Sequence, residues 1–160
     1  MEELIVKIVK LKPMRVAYTH AISKTPEKEA WDKLLAWAKP KGYFDQPGKH
    51  TTFGYNNPPP AKHDSPRDEE YGYELLINVG PEDESEGEVR LKTIPGGLYA
   101  VARVKGVWNI FHTWVYLNDW LAASEYELDE ANEPGFEECI TPFTHEDEMI
   151  FDLYLPIKTK

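Results

Sequence analysis

The chain has 160 residues, 41% hydrophobic and 29% charged, with a formal net charge of -10. That length suits one domain or two small halves sharing a core, and it buries roughly 70% of the unfolded surface without a disulfide or metal staple. The charge argues against a partner gripped through its phosphate backbone, which needs a basic patch; the densest basic run, Lys7, Lys10, Lys12 and Arg15, lies along one apparent strand. A single cysteine, Cys139, permits no internal disulfide and fits a reducing compartment. No stretch approaches the ~20 apolar residues of a membrane span, and the opening "MEELIVKIVKLK" lacks the basic start and apolar run of a secretory signal. The expected setting is cytoplasmic, with neither nucleic acid nor membrane as a direct partner.

In chain order, Leu4 to Ala21 is β-branched and roughly alternating and reads as one long strand, interrupted at Pro13 by a bulge, bend or edge position. Thr25 is a candidate N-cap and Pro26 suits the first helical position. Ala30, Trp31, Leu34, Leu35 and Ala38 then make a stripe at helical spacing, closed by Pro40 and Gly42. Thr51 to Tyr55 reads as a strand, "NNPPP" breaks it, and residues 57–70 read as a polar, proline-bearing loop long enough for a lid. Tyr71 to Val79 is a strand and Gly80 to Gly87 an acidic turn.

The order then starts again. Residues 88–94 and 98–104 read as strand around the turn "PGG". A helix is predicted from about Val107 to Ser124 with the stripe Ile110, Trp114, Leu117 and Leu121, followed by strands over Glu133 to Thr141 and Met149 to Lys158. The helices share a pattern, "WDKLLAWAKPKGYF" against "WVYLNDWLAASEYEL". This weak internal duplication divides the chain at about 1–80 and 88–158. Two βαββ units give an α+β architecture: an antiparallel sheet, two main helices and a central ligand groove along the pseudo-two-fold axis.

Taken together, "IPGGLYAVARVKG" (94–106), the Trp-rich helix, "YELDEANEPGFEECIT" (126–141) and "FDLYLPIK" (151–158) resemble the GyrI-like small-molecule-binding family, and "MRVAYTH" (14–20) and "LLAWAKPKGY" (34–43) match its first half. This family includes stand-alone gyrase-inhibitory-type proteins of the SOUL-like fold. It also includes the effector-binding domains of AraC- and MerR-type multidrug-responsive transcription regulators. The resemblance spans nearly the whole chain, apart from residues 44–70. It implies a pocket for lipophilic, often cationic, aromatic compounds with an acidic residue at its floor, in a Phe-Glu-x-Tyr-like tetrapeptide. The matching stretch is Phe136-Glu137-Glu138-Cys139, so the carried-over acid is Glu137, with Cys139 in place of the tyrosine.

Strand alternation by itself groups Phe136, Glu138 and Ile140 on one face and Glu137 with Cys139 on the other. On an apolar-face argument Glu138 is the inward acid; by the resemblance it is Glu137; on a solvent-facing edge strand it is neither. An acid and a surplus of aromatics (five Trp, nine Tyr) suit one site, because aromatic walls add cation–π and stacking contacts of about 1 kcal/mol or more each. Tyr18, Tyr99, Trp108, Phe111 and Trp114 are the candidate walls, with core packing the alternative for each and the simpler reading for Trp31 and Trp114. No cofactor is expected. His20, His50, His63, His112 and His145 never pair at metal-ligand spacing, so no metal is expected either.

The function implied is a stand-alone binder of lipophilic, cationic aromatic small molecules, with no appended DNA-binding domain. One alternative is a GyrI-like hydrolase of reactive small molecules in which Glu137 serves as the catalytic general base. A weaker one is a gyrase-interacting protein whose acidic charge mimics nucleic acid; any protein partner is unidentified.

Overall fold

Pro13 does more than interrupt a strand. The computed structural model describes residues 4–45, 49–60, 69–132 and 134–160, and in it the predicted strand over Leu4 to Ala21 is two strands, β1 (Val6–Leu11) and β2 (Met14–Ser23). They pair with different neighbours. Proline has no N–H to give a ladder, so a strand that reaches it must end or shift.

The remaining elements are α1 (Pro26–Ala38), β3 (Thr52–Asn56), β4 (Tyr71–Asn78), β5 (Arg90–Ile94), β6 (Gly97–Lys105), α2 (Ile110–Ala123), β7 (Tyr126–Leu128), β8 (Phe136–Cys139) and β9 (Ile150–Thr159). A single 3-10 turn, Val107–Asn109, leads into α2. Every strand pairing described is antiparallel, and the protein is α+β as the periodicity predicts. The short β7 falls where the sequence shows no strand signal. Among the described residues no helix is long and apolar enough to cross a membrane. The lid suggested for residues 57–70 falls mostly on residues 61–68, which lie outside the described set.

The chain divides into two compact units, Met14–Ile94 and Met1–Pro13 with Pro95–Lys160. These bounds differ from the 80/88 cut suggested by the repeat, because β1 and β5 each join the unit their pairing dictates. In the Met14–Ile94 unit the strands run β5-β2-β4-β3, and in the other unit they run β1-β6-β9-β8, with β7 also on β9. The two orders correspond strand for strand, so the duplication read in the sequence is present as topology.

In the Met14–Ile94 unit, α1 begins at Pro26, whose missing N–H is one of the helix's orphan donors anyway. Thr25 precedes it but makes no side-chain cap; instead the Ser23 hydroxyl accepts the Thr25 N–H at 3.0 Å. The helix lays Ala30, Leu34, Trp37 and Ala38 on Ala17, Ala21, Leu75 and Ile77, and each fully buried Leu or Ile contributes roughly 1.5–3 kcal/mol. Trp31 lies partly buried against this core, while Trp37, outside the predicted stripe, is one of its members.

In the other unit, α2 packs Leu117 on Ala100, Ala102, Val104, Leu153, Leu155 and Ile157, with Ile110, Trp114 and Leu121 against the cluster. The small residues Ala100 and Ala102 leave room for the helix. The strand alternation of β6 therefore sends Ala100, Ala102 and Val104 toward α2 and Tyr99, Val101 and Arg103 the other way.

Candidate functional site

The register of β8 assigns the two glutamates of "FEEC" to opposite faces. Phe136 pairs with Tyr154 and Glu138 with Asp152, while Glu137 pairs with Leu153 and Cys139 with Phe151. Directly paired residues share a face. Leu153 belongs to the core beneath α2, so Glu137 projects into the layer between sheet and helix. There its Oε2 accepts the Trp114 indole N–H at 2.9 Å. Glu137 and Trp114 are both half-buried, and Cys139 beside them is buried. Gly135 lets the strand start beneath the helix: a Cβ there stands 3.2 Å from the Trp114 ring and 2.3 Å from the Tyr154 carbonyl oxygen.

Glu138 faces the other way and meets aromatics. Its Oε1 accepts the Tyr154 hydroxyl at 3.0 Å. Tyr154 stacks on Phe136 with ring centroids 4.8 Å apart, and Tyr99, only 1% exposed, lies edge-on to Tyr154 at 5.8 Å and tilted to Phe136 at 5.4 Å. Arg103 grips Asp152 on the same face through Nε at 2.8 Å and an Nη at 3.1 Å. Burial, then the Glu138 charge, holds the Tyr154 phenol well above its ordinary pKa, so it stays a donor.

Within the unit of Pro95–Lys160 the candidate walls fall on different faces. Tyr99 is on the face away from α2, opposite Glu137. Trp114 touches Glu137. Trp108 and Phe111 stand at the start of α2, 63% and 60% exposed, with the Trp108 indole donating to Asp147 at 2.9 Å. Tyr18 lies in the Met14–Ile94 unit, where its ring centroid is 4.2 Å from the Lys92 ammonium.

That unit holds a second carboxylate that sequence reading passed over. On the face of β4 away from α1, Glu74 is buried; its Oε1 accepts Lys92 Nζ at 2.6 Å and its Oε2 the Asn57 amide at 2.6 Å. Lys92 Nζ also donates to the Tyr55 hydroxyl at 2.6 Å. The signal was available: in "YGYELLINV" alternation groups Glu74 with Gly72 and Leu76, an acid on an apolar face. Burial pushes the Glu74 carboxyl up, but the hydrogen bonds from Lys92 and Asn57, the Lys92 charge and the Tyr55 hydroxyl outweigh it and hold the group below the ordinary carboxylate range. Burial likewise pushes the Lys92 ammonium down, and its bonds to Glu74 and Tyr55 raise it above the usual lysine value. Among the described residues no three His, Cys, Asp or Glu side chains converge as a metal site.

The chain is similar to a DNA gyrase inhibitor of Edwardsiella piscicida, 29% identical over 130 residues that cover 80% of each chain. Among solved structures it resembles EcmrR. It matches the C-terminal domain of that protein at a TM-score of 0.70 and 15% identity, covering 98% of this chain and 99% of the domain. In the EcmrR–DNA complex the TM-score is 0.73 at 16% identity, and the match spans 58% of the EcmrR chain. It also resembles SAV2435 bound to tetraphenylphosphonium, at a TM-score of 0.59 and 10% identity, covering 98% and 94% of the two chains. The model of the GyrI-like small molecule binding domain matches residues 5–158. With the duplicated helix-on-sheet units and an acid set beneath the second helix, this match over nearly the entire chain makes the protein a member of the GyrI-like small-molecule-binding family.

Proposed function

We propose that the protein binds lipophilic, cationic aromatic compounds at the layer between α2 and β8, with Glu137 as the charge-matching group and Trp114 as its aromatic neighbour. One observation carries this reading: a carboxylate projects into a helix–sheet layer that also holds Leu153, Leu117 and the ring of Trp114. A cation brought alongside a partly buried carboxylate is attracted more strongly than it is in bulk water. Trp114 supplies a ring for stacking and an N–H that orients the carboxylate. Trp108 and Phe111, exposed at the N-terminal end of the same helix, are the aromatic surface a lipophilic ring system meets first. The tetraphenylphosphonium bound by SAV2435, a protein of like fold, supports the choice of ligand class.

The test is calorimetric titration of tetraphenylphosphonium into the wild type and Glu137→Gln. Micromolar binding by the wild type and at least tenfold weaker binding by the variant, about 1.4 kcal/mol, is the expected result. Equal affinity in the two proteins sinks the assignment of Glu137. Product formed in excess of protein from a hydrolysable cationic ester, lost in the same variant, would turn the reading from binder to hydrolase.

A further inference from the structure

The Met14–Ile94 unit contains the parts of a cation site in a different form. Glu74 is buried, its side chain 8% exposed, on the face of β4 away from α1. Tyr55 pairs with Glu74 across β3 and β4. Tyr18 lies on the same face of β2, one pair along, opposite Leu76. Acid, ring face and phenol oxygen converge on one point, and that point is occupied by the chain's own ammonium group. Lys92 Nζ is 2.6 Å from Glu74 Oε1, 2.6 Å from the Tyr55 oxygen and 4.2 Å from the Tyr18 ring centroid. The ammonium meets Tyr55 at its hydroxyl and lies 5.2 Å from the Tyr55 ring centroid, so Tyr18 offers the nearer of two ring faces. Asn57 holds the other carboxylate oxygen at 2.6 Å, so Glu74 is aimed rather than swinging.

We infer that the Glu74–Tyr55–Tyr18 cluster is a second cation-recognition site, filled intramolecularly by Lys92, and that removing the Lys92 amine converts it into a binding site for a small primary alkylammonium ion. Three features support this. The cluster offers acceptors for the N–H donors of an R–NH3+ group: an ionised carboxylate, a neutral oxygen and a π face. The Lys92 side chain is 28% exposed, so its stem opens to solvent and the space it vacates has an entrance. The carboxylate behind it is buried and oriented by Asn57, so it remains pointed at the vacated position. Position 92 then sets how many cations a chain accepts, because a lysine there keeps this unit closed to external ligands. Every residue used lies within the Met14–Ile94 unit, so the inference stands apart from the reading of Glu137.

The experiment compares the wild type, Lys92→Ala and Glu74→Gln/Lys92→Ala by thermal shift and calorimetry in n-butylammonium chloride, with sodium chloride at matched ionic strength as reference. Lys92→Ala should bind n-butylammonium saturably, at least tenfold more tightly than the wild type, and the double variant should lose that gain. A Lys92→Ala response equal to that of the wild type, or to that of the double variant, overturns the inference. If Lys92→Ala folds only with n-butylammonium present, the inference holds. If it folds in neither salt, the decision passes to the unmutated fold: 1H–15N spectra should contain a lysine ammonium signal protected from solvent exchange that Lys92→Arg removes. A spectrum without one shows that Lys92 does not occupy the cluster.

Discussion

Glu137 and Glu138 are adjacent in sequence and serve opposite faces of one strand. The first accepts the indole N–H of Trp114 at 2.9 Å under the helix, and the second accepts the hydroxyl of Tyr154 at 3.0 Å on the face away from it. Their separation gives a direct comparison. Glu137→Gln should weaken tetraphenylphosphonium binding at least tenfold, whereas Glu138→Gln should change it less than threefold. Both variants keep the side chain's volume, and calorimetric titration of the pair tests the assignment. A larger loss in Glu138→Gln would move the site to the Tyr99–Phe136–Tyr154 face.

Trp108 and Phe111 are more than half exposed, so truncating them creates no core cavity. Trp108→Ala and Phe111→Ala should each shift stability by about 0.5 kcal/mol or less in urea titrations, while lowering affinity for a cationic rhodamine dye. Unchanged dye affinity in both removes the start of α2 from the site.

The Glu74–Lys92 pair predicts a pH dependence with a definite sign. Glu74 has a folded pKa below its ordinary value of 4.5, so the unfolded chain holds more protons in that window and stability rises with pH there. The Glu74 contribution is present above about pH 4.5 and disappears as the pH falls through the folded value. Lys92 has a folded pKa above its ordinary 10.5, so its contribution is present below that value and is lost as the pH rises through the folded one. Urea midpoints measured across pH should fall at both ends for the wild type, and Glu74→Gln/Lys92→Met should flatten both slopes. Identical profiles for the two proteins would refute the linkage.

Gly72 is the backbone counterpart of that cluster. The Asn57 N–H donates to the Gly72 carbonyl at 2.8 Å and the Gly72 N–H to the Pro58 carbonyl at 2.9 Å. A Cβ at position 72 meets the Asn57 carbonyl oxygen at 1.9 Å. Backbone at that distance has to shift, so Gly72→Ala should cost on the order of 2 kcal/mol or more. It should also displace Asn57 from Glu74, moving the acid limb of the pH profile upward. Chemical denaturation at pH 7 and pH 4 reads both effects.

Much of this protein was legible as a string. Helical spacing located α1 and α2, and β-branched alternation located most strands, because both periods follow from local backbone geometry and reach the reader through short windows. Alternation alone separated Glu137 from Glu138, and the repeated order of elements suggested two βαββ units without giving their strand orders. Pairing was not legible. Only the tertiary structure assigned β1 to the unit of β6 and β5 to that of β2, splitting the apparent first strand at Pro13, since strand partners are chosen by contacts between residues 86–96 apart in the chain for β1 with β6 and 72–80 apart for β2 with β5. The same limit applies to the charged groups. Sequence put Glu137 and Glu138 on opposite strand faces and passed over Glu74. Which group meets each one, Trp114 for Glu137, Tyr154 for Glu138 and Lys92 for Glu74, was decided by register and packing, because an acid's partner is set by distance in space rather than along the chain.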